Sequence, residues 1–98
     1  MSSSVTIGGW DINESSISNT YTTTSANPKM TYYTGMYSVW PPNSERTIAG
    51  HTSKNWRFVV GSKEGSVATN PATGYTFNFG VTREGYLAAE NAYIGGTL

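Results

Sequence analysis

The sequence contains no cysteine and a single histidine. Without cysteine, the chain cannot form a disulfide, a thiolate metal site or a cysteine nucleophile. His51 is accompanied by one aspartate, Asp11, so a transition metal lacks a ligand set, and no Asp-x-Asp-x-Asp-Gly loop offers a calcium site. We therefore expect neither a metal nor another cofactor.

Charge is also scarce. Charged residues make up 12% of the chain, and six basic residues balance six acidic ones. A neutral surface lacks the long-range field that attracts nucleic-acid phosphates, so nucleic acid is not an expected partner. Serine, threonine, asparagine and glycine carry most of the polarity, which predicts a surface rich in hydroxyl and amide groups.

Long apolar runs are missing, and no stretch approaches the ~18 residues that a membrane span needs. The first residues lack a basic region, and Gly8 and Gly9 interrupt the first apolar stretch, so no signal peptide is predicted. These features favour a cytoplasmic protein, or one released without a classical signal peptide. The length of 98 residues predicts one domain over residues 1–98.

What the chain does contain is short runs of β-branched and aromatic residues between Gly, Pro, Asn and Ser clusters. In residues 75–81, large residues alternate with smaller ones, which predicts that Tyr75, Phe77, Phe79 and Val81 share one face. Residues 56–60 predict a second strand, with Trp56, Phe58 and Val60 on one side. Weaker patterns predict strands over residues 5–10, 17–24, 29–39, 44–48, 66–69 and 86–94. The pattern favours a small antiparallel β-sandwich of two sheets with about seven to nine strands.

Catalytic groups are poorly represented. His51 lies in a polar stretch that predicts a surface turn, and no serine occupies a Gly-x-Ser-x-Gly elbow. The carboxylates fall in predicted turns or strand ends, where solvated groups are expected, rather than facing pairs for glycoside hydrolysis. We therefore do not expect an enzyme.

Two tryptophans lie where predicted strands meet loops: Trp10 precedes Asp11, and Trp40 precedes Pro-Pro-Asn at 41–43. An indole at such a junction can stay partly exposed and stack on the C–H face of a sugar, while neighbouring polar groups bond its hydroxyls. The alternative is that both rings cap the core. If the strands run up and down, alternate loops share one end of the domain. This predicts a ligand site formed by Trp10, Asp11, Trp40, Asn43, Arg83 and Glu84.

Three functions follow from these features. The first is a lectin that binds glycans or glycoproteins. The second is recognition of lipid at a membrane surface, through residues expected to be exposed. Those residues are Tyr32, Tyr33, Met36, Tyr37 and Trp40. The third is a structural or storage protein.

Several segments resemble those of small fungal β-sandwich proteins. Trp-Arg-Phe-Val-Val-Gly at 56–61, Gly-Tyr-Thr-Phe-Asn-Phe at 74–79, Glu-Gly-Tyr at 84–86 and Ala-Glu at 89–90 follow an order similar to that of the fungal immunomodulatory proteins. Those proteins lack cysteine, dimerise and agglutinate cells, but they begin with an amphipathic helix where this chain has Gly8 and Gly9. The stretch from Val-Trp-Pro-Pro at 39–42 to Gly-Ser-Val at 65–67 resembles the lipid-binding aegerolysins. Both resemblances imply a small hemagglutinin or membrane-surface binder of the fungal or slime-mould kind.

Self-association is expected as well. A domain of this size buries only about two-thirds of the surface of its unfolded chain, and no disulfide or metal adds stability. Edge strands with few charges are open to pairing. We expect a homodimer or a higher closed oligomer, formed by edge pairing or by burial of a surface at Met30, Met36, Tyr32 and Tyr33. Two sites per particle would give a lectin avidity.

Overall fold

The structure, a computed structural model, describes residues 4–41 and 44–96. Within these ranges the chain forms nine strands and one short helix, which confirms the predicted all-β class. In chain order the elements are β1 (Ser4–Ile7), β2 (Trp10–Asn13), β3 (Ser16–Thr22), β4 (Met30–Tyr37), β5 (Arg46–Ile48), β6 (His51–Ser53), β7 (Trp56–Glu64), α1 (Pro71–Gly74), β8 (Thr76–Thr82) and β9 (Leu87–Ala89).

Seven strands form one antiparallel sheet in the order β1-β2-β3-β4-β7-β8-β9. Each strand therefore lies beside the next one along the chain, except that the β5–β6 hairpin is inserted between β4 and β7 as a separate two-stranded sheet. Tight turns make the meander possible. Gly8 and Gly9 link β1 to β2 with φ angles of 58° and 83°, the left-handed pair that a two-residue hairpin requires.

The two faces of the large sheet differ. The core face carries Tyr33 and Tyr37 of β4 and Val59 of β7, all buried. The β5–β6 hairpin and the segment that contains α1 cover this face and contribute Ile48 and Ala72 to the same cluster. The opposite side, here called the open face, carries Trp10, Ile12, Ile17, Tyr32, Met36, Phe58, Val81 and Leu87.

Two β-bulges place on opposite faces of the sheet residues that the alternation pattern predicts on the same face. In β8, Phe77 pairs with Gly61 and Phe79 pairs with Val60, because the register shifts between Val60 and Gly61. Since consecutive residues of β7 point to opposite faces, Phe77 is buried in the core and Phe79 lies on the open face. A second register shift, between Trp56 and Phe58 of β7, places Trp56 on the core face and Phe58 on the open face. The predicted common faces are therefore wrong for Phe58, Phe79, Val60 and Val81.

Trp56 lies at the centre of the covered side. It is fully buried, and its indole N–H donates to the carbonyl oxygen of Arg46 at 3.1 Å. The ring fits because Gly80 has no side chain. A Cβ at that position would lie 2.8 Å from the ring of Trp56 and 2.9 Å from Cδ1 of Ile48. The missing methyl group lets the hairpin pack closely onto the sheet.

Arg46 connects the β5–β6 hairpin to the rest of the core. Its guanidinium donates to the carbonyl oxygens of Ala72 at 2.6 Å and of Tyr75 at 2.7 Å. The same group lies over the ring of Phe77, 4.6 Å from the ring centroid. Partial burial lowers the pKa of Arg46 from its ordinary value, and the two carbonyl oxygens compensate by accepting its hydrogen bonds.

Replacement of Arg46 by methionine should destabilise the protein by about 2–3 kcal/mol, because two charge-assisted hydrogen bonds are lost and two carbonyl groups lose their donor. Urea denaturation measures the change. Arg57→Met is the matched control, since the guanidinium of Arg57 makes only a long contact of 3.5 Å with the carbonyl oxygen of Trp56. Equal stability of the two variants would contradict this role of Arg46.

Two tyrosines share a hydrogen bond in the core. The hydroxyl oxygens of Tyr33 and Tyr37 lie 2.5 Å apart, and the ring of Tyr33 stacks on Tyr75 at 4.8 Å. Burial raises the pKa of both Tyr33 and Tyr37 above the ordinary tyrosine value of 10.0. The folded state therefore keeps these phenols protonated at a pH at which the unfolded chain ionises.

Alkaline conditions should consequently destabilise the fold. The contribution of the two phenols is fully present below pH 10.0, the ordinary value, and is lost as the pH rises above it, because the unfolded chain releases its protons first. The urea midpoint should fall as the pH rises above about 10. Tyr33→Phe should show a shallower fall than the wild type. An identical slope in that variant would show that other groups cause the loss.

Candidate functional site

The predicted ligand residues do not form one cluster. Trp10 and Asp11 lie on β2, whereas Arg83 and Glu84 lie in the turn after β8. Three strands separate β2 from β8, which corresponds to about 19 Å across the sheet. Trp10 and Asp11 also point to opposite faces, because they are consecutive in one strand. Asn43 lies outside the described residues.

Trp40 is a core residue. Only 4% of its surface is exposed, its indole N–H donates to the carbonyl oxygen of Ser44, and its ring meets Tyr37 edge-on at 4.7 Å. The chain turns back over the core face after β4, with the amide of Ser44 bonded to the carbonyl oxygen of Pro41, and this turn carries the ring inward. The expectation that Trp40 is partly exposed is wrong, and the alternative that its ring caps the core describes it better.

The surface expected for lipid recognition is divided in the same way. Tyr33, Tyr37 and Trp40 are buried on the covered side, and Tyr32 and Met36 are exposed on the open face. The alternation of β4 explains the division, since residues 33 and 37 point to one face and residues 32 and 36 to the other. Tyr33 is likewise absent from the surface that was expected to form the dimer.

Truncation of Trp40 should therefore be costly. Trp40→Ala should lower the free energy of unfolding by about 3–5 kcal/mol, similar to Trp56→Ala, because each change empties a buried site. The exposed neighbour provides the control, and Val39→Ala should change stability by less than about 0.5 kcal/mol. A Trp40→Ala protein as stable as the wild type would place the ring outside the core.

Arg83 and Glu84 nevertheless belong to a built arrangement at the end of the sheet. We call His51, Asn55, Arg83, Glu84 and Tyr86 the polar loop cluster. The carboxylate of Glu84 accepts hydrogen bonds from the side chain of Arg83 at 2.9 Å and from the amide of Asn55 at 3.3 Å. The backbone N–H of Arg83 donates to the carbonyl oxygen of Asn55 at 2.9 Å. These bonds connect the turn after β8 to the start of β7.

The same turn presents an aromatic ring. Tyr86 is 61% exposed, and its ring centroid lies 4.9 Å from that of His51. His51 packs edge-on against buried Trp56 at 5.9 Å, so the exposed ring rests on a side chain that the core holds in place. Two hydrogen bonds close the turn: the backbone N–H of Thr82 donates to the carbonyl oxygen of Tyr86 at 2.9 Å, and the backbone N–H of Tyr86 donates to the hydroxyl oxygen of Thr82 at 3.1 Å.

The carboxylate of the polar loop cluster is held in its charged form. The hydrogen bond from Arg83 lowers the pKa of Glu84 below the ordinary value of 4.5, although the carboxylate is exposed to water. A general acid needs the opposite shift. Among residues 4–41 and 44–96, no group of three His, Cys, Asp or Glu residues could hold a metal ion. The cluster thus offers a fixed anionic acceptor, amide and guanidinium donors, and an aromatic face.

Sequence reasoning found two members of this cluster and missed three. His51 was expected in a surface turn, but it begins β6 and is half-buried between Trp56 and Tyr86. Asn55 and Tyr86 each stand beside a turn signal, yet nothing in the sequence shows that the inserted hairpin meets the turn after β8. That contact depends on the packing of Trp56.

A concavity lies away from the polar loop cluster, on another part of the described surface. A cleft of about 400 Å³ lies at the turn between β2 and β3, where Ile12, Ile17 and Met36 meet the polar residues of the turn. In the part of the chain that the structure describes, no helix has the length and apolar character to cross a membrane.

Comparison with known proteins adds no assignment. No protein-family model matches the chain, and neither a curated protein nor a solved structure matches it. The resemblance to small hemagglutinins therefore stays a prediction, and function has to be inferred from the geometry of the chain itself.

Proposed function

We propose that this protein is a non-catalytic carbohydrate-binding protein and that the polar loop cluster is its glycan site. The observation that carries the proposal is the presence of an exposed aromatic ring, Tyr86, and a hydrogen-bonded carboxylate, Glu84, two residues apart in one turn. The proposed site retains Arg83 and Glu84 of the predicted site and replaces its other residues.

The chemistry of sugars fits this pair of groups. Tyr86 offers a flat apolar ring to the C–H face of a pyranose, and the ring of His51, 4.9 Å away between centroids, supports it. An ionised carboxylate accepts hydrogen bonds through both oxygens, as adjacent sugar hydroxyls donate them. The carboxylate of Glu84 is charged at neutral pH, and its lowered pKa keeps it charged in mildly acidic conditions as well.

Preorganisation also supports binding. Arg83 and Asn55 hold the carboxylate of Glu84 before a ligand arrives, so less side-chain freedom is lost on binding. The partners proposed for the site are accordingly glycans or glycoproteins. Neutral sugars fit best, because the net charge of +0 gives the protein no long-range attraction for charged ligands.

A glycan array on the full chain tests the proposal. Tyr86→Ala should weaken binding to the glycans that the wild type retains by about tenfold or more, and Glu84→Gln should have a similar effect through loss of the charged acceptor. Matched controls are Tyr93→Ala, which removes a tyrosine that is 97% exposed, and Glu90→Gln. Both controls should bind as the wild type does.

Two results would contradict the proposal. The first is a wild-type protein that binds no glycan on the array and does not agglutinate erythrocytes. The second is glycan binding that survives in Tyr86→Ala and Glu84→Gln at the affinity of the wild type, which would place the sugar elsewhere on the protein.

A further inference from the structure

The open face carries an unbroken apolar row across all seven strands of the large sheet. Each residue of the row is the register partner of the next, so all of them point to the same side. Six spacings between strands make the row about 29 Å long. Its members, in order across the sheet, are Val5, Ile12, Ile17, Met36, Phe58, Val81 and Leu87.

Further apolar and aromatic residues widen this row into a patch. A second row lies two residues along the strands from the first. In it Ile7 pairs with Trp10, and Val60 pairs with Phe79. Two residues further along, Tyr21 pairs with Tyr32. With side-chain radii included, the rectangle that holds these residues measures about 35 by 20 Å, or roughly 700 Å², and it also contains the polar pair Asn19 and Thr34. A stable interface takes about 800 Å² from each partner, and apolar patches on monomers are commonly about 300–600 Å².

The first three strands place their apolar side chains only on this face. Their other face consists of small polar residues, because the hairpin and α1 cover the core face at β4, β7 and β8. Strands β1 to β3 therefore contribute no residue to the buried core, and Ile12 is only half-buried, unless the open face is covered. The polar residues on their other side are Ser4, Thr6, Asp11, Asn13, Ser16, Ser18, Thr20 and Thr22.

The charge distribution identifies the kind of partner. Asp11 and Lys63 belong to strands of the sheet but point to the other side, since Asp11 pairs with Ser18 and Lys63 pairs with Thr31. Two-fold symmetry brings a charge near the axis close to its own copy, and a face whose strands carry no charge in its interior avoids that repulsion. A second identical sheet is also the flat, apolar surface that packs at about 10 Å on a sheet.

A membrane surface fits the face less well. Amphipathic surfaces that bind membranes carry basic residues around an apolar centre. Here Glu14 lines the cleft at one end of the open face, Glu64 pairs with Met30 at the other, and Arg57 lies at the bulge of β7. These borders provide no surplus of positive charge.

We infer that the open face is the interface of a homodimer, in which the seven-stranded sheets of two copies stack as the layers of a β-sandwich. The inference is independent of the glycan proposal. His51 and Tyr86 lie toward the covered side of the sheet, so stacking of the open faces leaves both polar loop clusters exposed. Such a dimer carries two sites, which is the requirement for cross-linking cells.

Sedimentation of the full chain over a concentration series tests the inference. The wild type should sediment at twice the 10.6 kDa mass of one chain at micromolar concentration. Met36→Glu, at the centre of the apolar row, should weaken dimerisation at least 100-fold, because two buried carboxylates face each other. Val67→Glu is the control, since Val67 is a similarly exposed apolar residue in the connection between β7 and β8, and it should remain a dimer.

A second measurement covers the case in which Met36→Glu does not fold. Amide hydrogen exchange in β1 to β3 of the wild type should slow as the protein concentration rises, because these strands gain burial only in the dimer. A monomeric wild type at all concentrations would overturn the inference. Co-sedimentation of such a monomer with phosphatidylcholine vesicles would assign the open face to lipid instead. Dissociation of Val67→Glu to the same extent as Met36→Glu would also overturn it.

Discussion

The packing of Trp56 beneath the β5–β6 hairpin connects the core of this protein to its candidate site. The ring lies against Gly80 on one side, bonds to the carbonyl oxygen of Arg46, and supports His51 at its edge. His51 in turn supports Tyr86, the exposed ring of the polar loop cluster. An inserted hairpin of six strand residues thus closes the core and also positions the residues proposed to bind a sugar.

Burial on one side only is the second constraint on the fold. The sheet has seven strands, whereas the buried core cluster on its covered side extends over β4, β7, β8 and β9 and includes no residue of β1 to β3. The two surfaces of the sheet therefore differ in what they carry. The covered side holds the core and, at its end, the polar loop cluster, and the open face holds an apolar area suited to a second copy. If a second sheet of the same chain covered the open face, its apolar residues would be buried within one copy. Because β1 to β3 place apolar residues only on the open face, their alternation is consistent with a sandwich formed by two copies.

Local patterns predicted much of the secondary structure. The all-β class, strands over residues 56–60 and 75–81, and the burial of Trp56 follow from period-two alternation and turn residues, although β7 continues to Glu64. The two bulges do not, because alternation assumes a constant register, and a single extra residue moves Phe58 and Phe79 to the other face. Residues 66–69 were expected to form a strand and do not, whereas His51–Ser53 was expected to be a turn and forms β6.

The candidate site was predictable only in part, for a related reason. Arg83 and Glu84 share a turn, so the sequence places them together. The contact of Glu84 with Asn55 and that of Tyr86 with His51 each span about 30 residues or more and depend on where the inserted hairpin packs. Trp40 shows the opposite error, since its position beside two prolines suggests exposure and the turn that follows buries it.

The central claim is that the polar loop cluster is where a sugar binds. The most direct test is an NMR titration of the isotope-labelled wild type with glycans released from erythrocytes, with the amide shifts mapped onto the chain. The account predicts that the largest shifts occur at Asn55 and at residues 83–86. Shifts concentrated on the open face, around Trp10 and Tyr32, or no shifts at all, would contradict it.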